Sequence, residues 1–409
     1  MIGERVKRIE DPALLRGQAV FVDDIHLAGL LQAAFVRSPH PHALIRSIDT
    51  TAAKALPGVA AVYTLADFSP HIATDRLPLQ FPTKDLADDI TPWLLAGEEV
   101  CHVGEVVAMV VAESRYLAED AALLVEIDYD PLPSVAGCAA AFSDDAPLVH
   151  RDKANNVLIR FGQSYGDTET AFANAPHVFQ ERFIQHRGAA HPIEGRGAVA
   201  RYDALDDAIT LWSSTQMSHE VRASIVRLFG IDEGRIRVVS PDVGGGFGSK
   251  YIAYSEEIAV ALAAKLLNAP VKWIEDRREH FTSAIQEREQ DWTMEIATDS
   301  DGRVLGVRGS MLSDQGAYTP QGINMAYNAS TGVPGPYIVP SYEIDVRVVE
   351  TNVVAAAPVR GAGYPEGNYT MERLLDRAAQ GLGMDRAEIR RRNLIPAEAM
   401  PYETPLKTR

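Results

Sequence analysis

The sequence has little of what several protein classes require. Its 409 residues include only two cysteines, Cys101 and Cys138. Two cysteines are too few for a disulfide framework and, by themselves, for a cysteine-ligated iron–sulfur cluster or zinc site. No apolar run approaches the roughly 18–20 residues of a membrane span, and the first ten residues lack the apolar core of a signal peptide. We therefore expect a cytoplasmic protein that does not enter a membrane.

Positive charge is also in short supply. The 39 Lys and Arg residues face 56 Asp and Glu residues, which gives a formal net charge of −17. Such a balance argues against nucleic acid or an anionic membrane surface as the partner. The content of 46% hydrophobic and 23% charged residues is ordinary for a globular chain long enough for two or more domains.

What the sequence has in abundance is glycine at one place. The segment Val243–Lys250, which we call the glycine-rich loop, reads Val-Gly-Gly-Gly-Phe-Gly-Ser-Lys between a predicted strand and a predicted apolar helix. Glycines let backbone N–H groups face a ligand, and at the start of a helix they suit an anion. Ser249 breaks the spacing of both a P-loop and a dinucleotide fingerprint. A glycine-rich turn with a purely structural role remains the alternative.

The composition along the chain predicts two α+β domains. Residues 1–140 alternate short strands and helices, residues 141–156 form an Ala-, Pro- and Asp-rich linker, and residues 157–409 carry longer strands. In the first domain, His40 and His42 flank a proline in a polar loop. Because no third ligand is near them in the sequence, this pattern favours a structural loop over a metal site.

Four motifs together resemble the molybdenum hydroxylases, the large-subunit family of xanthine dehydrogenase, aldehyde oxidase and carbon monoxide dehydrogenase. They are the glycine-rich loop, Ser213–Gln216, Arg360–Glu366 and residues 383–394, and they occur in the order typical of the family. The resemblance implies an α/β hammerhead-like domain followed by the first molybdopterin-binding α+β domain. Because the family's large subunit continues for about as many residues again, the chain resembles the first half of a split large subunit.

The resemblance also assigns roles to individual residues. It implies that the amide of Gln216 donates a hydrogen bond to an oxo ligand of molybdenum, a task that suits a neutral donor. It implies cofactor contacts for the glycine-rich loop and for the arginine that opens the Arg360–Glu366 motif, whose forked donors suit oxo and phosphate groups. The cofactor-binding residues expected in this way are Gln216, Gly245, Gly246, Phe247, Gly248, Arg360 and Gly361.

Departures from the family pattern restrict the substrate. Purine-oxidising members have Glu where this chain has Tyr251, and a substrate-stacking Phe where it has Ala362. Copper-containing carbon monoxide dehydrogenases have Cys where it has Gly361. The substrate classes that remain are an aldehyde or an N-heteroaromatic ring. Tyr251, Ala362 and Tyr364 are the candidate residues of the substrate pocket.

The remaining machinery is expected on other chains. The resemblance implies a molybdenum–molybdopterin cofactor, expected in the cytosine dinucleotide form, that hydroxylates carbon with oxygen from water. It places the glutamate base on a second molybdopterin-binding half, and [2Fe–2S] and FAD on two further subunits. No catalytic residue is therefore predicted in this chain. The alternatives are a non-catalytic assembly subunit that retains the fold, and a truncated half of an aldehyde or carbon monoxide dehydrogenase-like subunit.

Overall fold

The computed structural model describes residues 2–82, 84, 86 and 90–406. The strands are β1 Leu31–Arg37, β2 Ala43–Asp49, β3 Val59–Thr64, β4 Glu99–Val100, β5 Val106–Ala112, β6 Glu126–Pro131, β7 Val157–Tyr165, β8 His177–Gln185, β9 Gly197–Asp203, β10 Ala208–Ser213, β11 Ile236–Val239, β12 Val271–Ile274, β13 Gln290–Thr298, β14 Val304–Asp314 and β15 Tyr342–Val349. The helices are α1 Asp11–Leu15, α2 Thr51–Lys54, α3 Leu65–Phe68, α4 Arg115–Ala122, α5 Cys138–Ala141, α6 Thr168–Asn174, α7 Ser218–Phe229, α8 Ser255–Leu267, α9 Arg277–Ser283, α10 Asn324–Gly332, α11 Tyr364–Leu382 and α12 Arg386–Asn393. This mixture confirms the predicted α+β class.

A seven-stranded sheet joins the two parts of the chain. Its strand order is β11-β10-β9-β12-β1-β5-β3, and β1 runs parallel to β12 with Leu31 opposite Val271. All seven residues of β5 are buried, as its uninterrupted apolar sequence requires. Strands from before and after the predicted linker therefore share one sheet, and the domain bounds stay a prediction.

Helix α8 lies at the centre of the first hydrophobic core. Every residue from Glu256 to Ala264 is buried, and the helix packs on β9 and β12. A helix that is apolar on all sides belongs in the interior, which explains its run of Ala, Val, Ile and Leu. Because α8 follows the glycine-rich loop, the core fixes the end of that loop in space.

A second hydrophobic core lies behind the segment that contains Arg360. The five-stranded sheet β7-β15-β14-β13-β8 buries Trp292 and Tyr342 completely, and helices α10 and α11 belong to the same core. The sequence predicts a helix over residues 370–380, but helix α11 begins at Tyr364, six residues earlier. Pro365, the second residue of the helix, is compatible with that start, because the backbone N–H groups of the first turn have no hydrogen-bond partner within the helix.

The sequence predicts that strands at residues 45–48 and 59–64 pair with each other and that the proline-rich, acidic residues 70–100 form a surface excursion, and both predictions are wrong. Strand β2 pairs with β4 and β6 in a separate three-stranded sheet, whereas β3 pairs with β5, so β2 and β3 are not neighbours as predicted. Residues 70–100 were predicted to be a surface excursion, but Leu77, Leu94 and Leu95 are buried in the first core. Residues 83, 85 and 87–89 of that segment lie outside the described residues.

Within the described parts of the chain, no helix combines the length and the apolar character needed to cross a membrane.

Candidate functional site

Three loops meet at the edge of the seven-stranded sheet. Gln216 follows β10 and the glycine-rich loop follows β11, and these two strands are adjacent and parallel. Because carboxyl ends of parallel strands lie at the same edge, the two loops emerge side by side, and Gln216 N donates to Lys250 O over 2.9 Å. The third loop is Arg360–Gly363, the arginine loop, whose Arg360 N donates to Phe247 O over 2.8 Å. Three of the sequence motifs are thus in contact.

The amide of Gln216 is held in one orientation. The backbone N–H of Gly248 donates to Gln216 Oε1 over 2.9 Å, and Gln216 is exposed to solvent. With Oε1 bound to the loop, the Nε2 group is the part of the amide that is left to donate outward. The structure therefore presents a neutral, oriented hydrogen-bond donor, as the expected role of Gln216 requires.

The glycines allow this close approach of the loops. A Cβ atom on Gly246 would lie 2.4 Å from Gln216 Oε1, and one on Gly248 would lie 2.1 Å from the carbonyl oxygen of Pro358. Gly248 also has φ +106°, which an L side chain rarely adopts. The same holds for Gly361, with φ +115°. These glycines are needed for the junction of the loops, in addition to any contact with a ligand.

Phe247 and Arg360 form the open surface of the junction. The Phe247 side chain is 47% exposed, and the Arg360 guanidinium carbon lies 5.9 Å from the ring centroid. Phe247 has φ +54° and Ala362 has φ +51°, which is uncommon for residues with a side chain. Strained backbone of this kind concentrates at functional sites, where surrounding packing maintains it.

A buried ion pair anchors the start of the glycine-rich loop. Lys250 Nζ lies 2.8 Å from Glu194 Oε2, and the same oxygen accepts the N–H of Gly244 over 2.7 Å. The Lys250 side chain is 1% exposed, and this burial lowers its pKa although Glu194 favours the charged form. The sequence offered no sign of this pairing, because Glu194 lies in a polar loop 56 residues away.

One expectation about the loop is wrong. Helix α8 begins at Ser255, so the glycines do not form its N-terminus as predicted. The N–H of Tyr254 at the helix start instead donates to the Glu257 carboxyl group over 2.9 Å. The N-terminus of α8 is therefore capped by a carboxyl group of the same chain. A ligand bound by the glycines would not lie at the start of this helix.

The three candidate pocket residues are only partly assembled. Ala362 belongs to the arginine loop, and its carbonyl oxygen accepts from Asn328 Nδ2 over 2.9 Å. Tyr364 begins α11 and is 51% exposed, whereas Tyr251 is half-buried at the end of the glycine-rich loop. Their role in a pocket stays a prediction.

The donors present suit a cofactor that carries oxo or phosphate groups. The Gln216 amide and the Arg360 guanidinium both face the open side, and Arg360 has no side-chain hydrogen bond among the described residues. A guanidinium and a neutral amide match anionic oxygens, and the exposed Phe247 ring would cover the face beside them. The residues present therefore fit the molybdenum cofactor that the sequence implies.

Comparison with known proteins gives matches across the chain. The molybdopterin cofactor-binding domain family matches residues 149–394, and the aldehyde oxidase and xanthine dehydrogenase a/b hammerhead domain family matches residues 16–133. The nicotine 6-hydroxylase large subunit of Paenarthrobacter nicotinovorans is 40% identical over 99% of this chain, which spans 49% of that protein. The crystal structure of quinoline 2-oxidoreductase from Pseudomonas putida 86 superposes with a TM-score of 0.90 at 37% identity, over 99% of this chain and 52% of that one.

The lengths of the relatives differ. This chain spans about half of relatives such as nicotine 6-hydroxylase. It is also 28% identical to the nicotinate dehydrogenase large molybdopterin subunit of Eubacterium barkeri, over 95% of this chain and 88% of that subunit.

Proposed function

Given that the chain belongs to the aldehyde oxidase and xanthine dehydrogenase family of molybdopterin-binding subunits, we propose that it is one half of the large subunit of a molybdenum hydroxylase. The observation that carries the proposal is the oriented Gln216 amide beside Phe247 and Arg360. When bound, the cofactor supplies a two-electron oxidation in which a carbon next to nitrogen or oxygen gains an oxygen atom from water.

The residues of this chain bind and orient the cofactor in this proposal. Gln216 Nε2 donates to an oxo group without changing charge, because Gly248 holds the amide oxygen. Arg360 neutralises anionic oxygens, and its backbone N–H fixes the carbonyl of Phe247. Phe247 excludes water from one side of the site, while Gly245, Gly246 and Gly361 let the loops approach it. No carboxylate of this chain is assigned as the base.

A second molybdopterin-binding half completes the proposed site. Phe247 of the glycine-rich loop and Tyr364, which directly follows the arginine loop, are 47% and 51% exposed, and exposed large apolar groups at a junction suit an interaction surface. We place the glutamate base and most contacts to a cytosine dinucleotide tail on that second half. We place [2Fe–2S] and FAD on further subunits of a cytoplasmic complex.

The proposed substrate is an N-heteroaromatic ring, with an aldehyde as the second candidate. Three relatives are named for nicotine, quinoline and nicotinate, each of which contains a pyridine-type ring. Ala362 and Tyr251 stand where purine-oxidising members carry larger or acidic groups, which leaves room for an uncharged ring.

The test uses the complex that co-purifies with the full chain. We expect about one molybdenum per chain, a second large-subunit half, and oxidation of quinoline with a dye as electron acceptor. Replacing Gln216 with Leu removes the amide donor and should lower turnover about 100-fold, the usual effect of losing one such donor. Molybdenum content, the identity of the co-purified chains and the turnover rate are measured together.

The matched control is Gln180→Leu, which replaces an exposed glutamine on β8 and should change none of these quantities. A chain that purifies without molybdenum would support the non-catalytic assembly subunit. Full turnover in Gln216→Leu would contradict the assigned role of the amide, and oxidation of benzaldehyde alone would favour the aldehyde class.

A further inference from the structure

A cluster of metal-ligating side chains lies in the hammerhead domain, away from the loop junction. His42 precedes β2 and Cys101 follows β4, and the antiparallel register that puts Ala43 opposite Val100 brings the two side by side. Glu99 of β4 completes the group. The donor atoms of His42, Glu99 and Cys101 all lie within 4.8 Å of one another. No further candidate ligand is near His40 and His42 in the sequence, but folding brings Glu99 and Cys101 close to His42.

The tautomer of His42 is fixed by the backbone. Its Nδ1 atom lies 2.7 Å from the carbonyl oxygen of Pro133, which can only accept, so Nδ1 carries the hydrogen. The lone pair of Nε2 then faces Glu99 Oε1 at 2.9 Å. Two acceptors this close need a proton or a metal cation between them. A histidine that donates its other nitrogen to a carbonyl is the usual arrangement of a metal ligand.

A second histidine repeats this arrangement. His150 Nε2 lies 2.6 Å from the carbonyl oxygen of Ala317, so Nε2 donates and Nδ1 keeps its lone pair. That Nδ1 atom lies 3.5 Å from the Sγ atom of Cys101. Cys101 Sγ therefore lies close to His150 Nδ1 as well as within 4.8 Å of the donor atoms of His42 and Glu99, and a backbone carbonyl oxygen binds the second nitrogen of each imidazole.

We propose that His42, Glu99, Cys101 and His150 bind one zinc ion. Zinc takes four nitrogen, sulfur and oxygen ligands in a tetrahedral arrangement, with ligand atoms about 3.5 Å apart. The donor atoms of His42, Glu99 and Cys101, which lie within 4.8 Å of one another, must therefore close by about 1 Å when the ion binds, and His150 must move in beside Cys101 to become the fourth ligand. The thiol of Cys101 loses its proton to solvent, and no group is oxidised or reduced.

Access to the cluster is open. A cavity of about 520 Å³ is lined by Glu99, Cys101 and His150 together with Arg151 and Asp152. Arg151 Nε now lies 3.1 Å from Glu99 Oε1, and its side chain is 50% exposed, so it can move into solvent when zinc takes that oxygen. The proposal is independent of the proposed function, because none of these residues belongs to the loop junction.

The site would connect two parts of the chain. Three ligands come from the hammerhead domain, and His150 lies just inside the region that matches the cofactor-binding domain family. Four protein ligands leave no open coordination position, which is typical of a structural site rather than a catalytic one. Zinc binding is therefore expected to stabilise the folded chain.

The experiment uses the full chain with whatever subunits accompany it. The protein is stripped with a chelator and then dialysed against zinc or cobalt(II). We expect about one zinc per chain, a higher melting temperature with zinc, and a thiolate-to-cobalt charge-transfer band. His42→Gln and Cys101→Ser should each lose the band and weaken zinc binding at least about tenfold, the smaller effect seen for altered metal sites. Cys138→Ser replaces the other buried cysteine and should keep both properties.

Several outcomes would overturn the proposal. They are a wild-type chain that binds no zinc or cobalt, a cobalt complex without a thiolate band, and equal zinc binding in wild type and Cys101→Ser. The first result would mean that a proton joins His42 to Glu99. If Cys101→Ser fails to fold, His42→Gln and Glu99→Gln test the same site, and their melting temperatures without metal show whether they are folded. Because zinc is measured separately from molybdenum, failure here leaves the proposed function untouched.

Discussion

At the scale of single residues, burial sets the chemistry of Glu257. It lies in the first turn of α8, where it accepts from the Ser213 hydroxyl and the Tyr254 N–H. Burial nevertheless raises its pKa from 4.5 to about 7, because the charged form loses water and lies near Glu256. A carboxyl group whose pKa is raised on folding binds its proton more tightly in the folded chain. Its contribution to stability is full below about pH 4.5 and is lost as the pH rises through about 7.

We therefore expect Glu257→Gln to reduce the loss of stability between pH 5 and pH 8. The amide stays neutral at both values, so at pH 8 the variant should be more stable than wild type by up to about 3 kcal/mol. Urea denaturation at the two pH values measures the difference. Glu388→Gln is the control, because Glu388 is only partly buried and a hydrogen bond from Arg392 lowers its pKa. An identical pH dependence in wild type and Glu257→Gln would show that Glu257 is ionised in the folded chain.

At the scale of elements, the close contact of α10 and α11 positions the arginine loop. A Cβ atom on Gly367 would lie 2.4 Å from the carbonyl oxygen of Ala329, and one on Gly363 would lie 2.3 Å from that of Met325. Helix α11 starts directly after the arginine loop, so a shift of the helix moves Arg360. Gly363 and Gly367 thus allow the close packing of α10 and α11 that fixes the position of Arg360.

Gly367→Ala should separate the two helices and destabilise the chain by about 1–3 kcal/mol, the cost of overpacking a tight contact. Molybdenum content of the purified complex should fall with it, because Arg360 is displaced. Asn368→Ala changes the next, exposed residue of the same helix and should stay within about 0.5 kcal/mol of wild type. The two variants are compared by urea denaturation and metal analysis, and equal effects would argue against the packing explanation.

At the scale of the whole molecule, a buried network of charges joins its parts. Arg37 of β1 lies 2.9 Å from Glu256 of α8 and 3.1 Å from Glu279 of α9. The buried Arg196 lies 3.3 Å from Glu256 and 2.6 Å from Glu275. Burial alone would raise the pKa of Glu256, but the guanidinium groups of Arg196 and Arg37 hold it below its usual value. The hammerhead domain is thereby connected to the region that follows the predicted linker.

Replacing Arg37 with Met removes a cation from the buried Glu256 and the partly buried Glu279, and should cost about 3–5 kcal/mol of unfolding free energy. Chemical denaturation of the full chain measures the loss. The exposed pair of Arg46 and Asp130 provides the control, since Arg46→Met should cost at most about 1 kcal/mol. A loss in Arg37→Met no larger than in Arg46→Met would mean that the network contributes no more than a surface ion pair.

The sequence alone determined the family, the α+β class and several local elements. The sequence predicts a strand over residues 31–37 and a helix over residues 218–229 that ends at Gly230, and β1 and α7 have these bounds. Apolar runs and a C-terminal glycine act through near neighbours in the chain. Motifs with fixed spacing likewise identified the loops that meet at the site. These features depend on residue type and on short separations along the chain.

Tertiary structure alone decided the rest, because it depends on contacts between distant residues. The partner of β2, the pairing of Glu194 with Lys250 and the orientation of the Gln216 amide all join segments that no local pattern relates. The same reason explains His42, which had no nearby ligand in sequence but faces Glu99 in the folded chain. Local chemistry fixed which groups are present, and long-range packing fixed which of them meet.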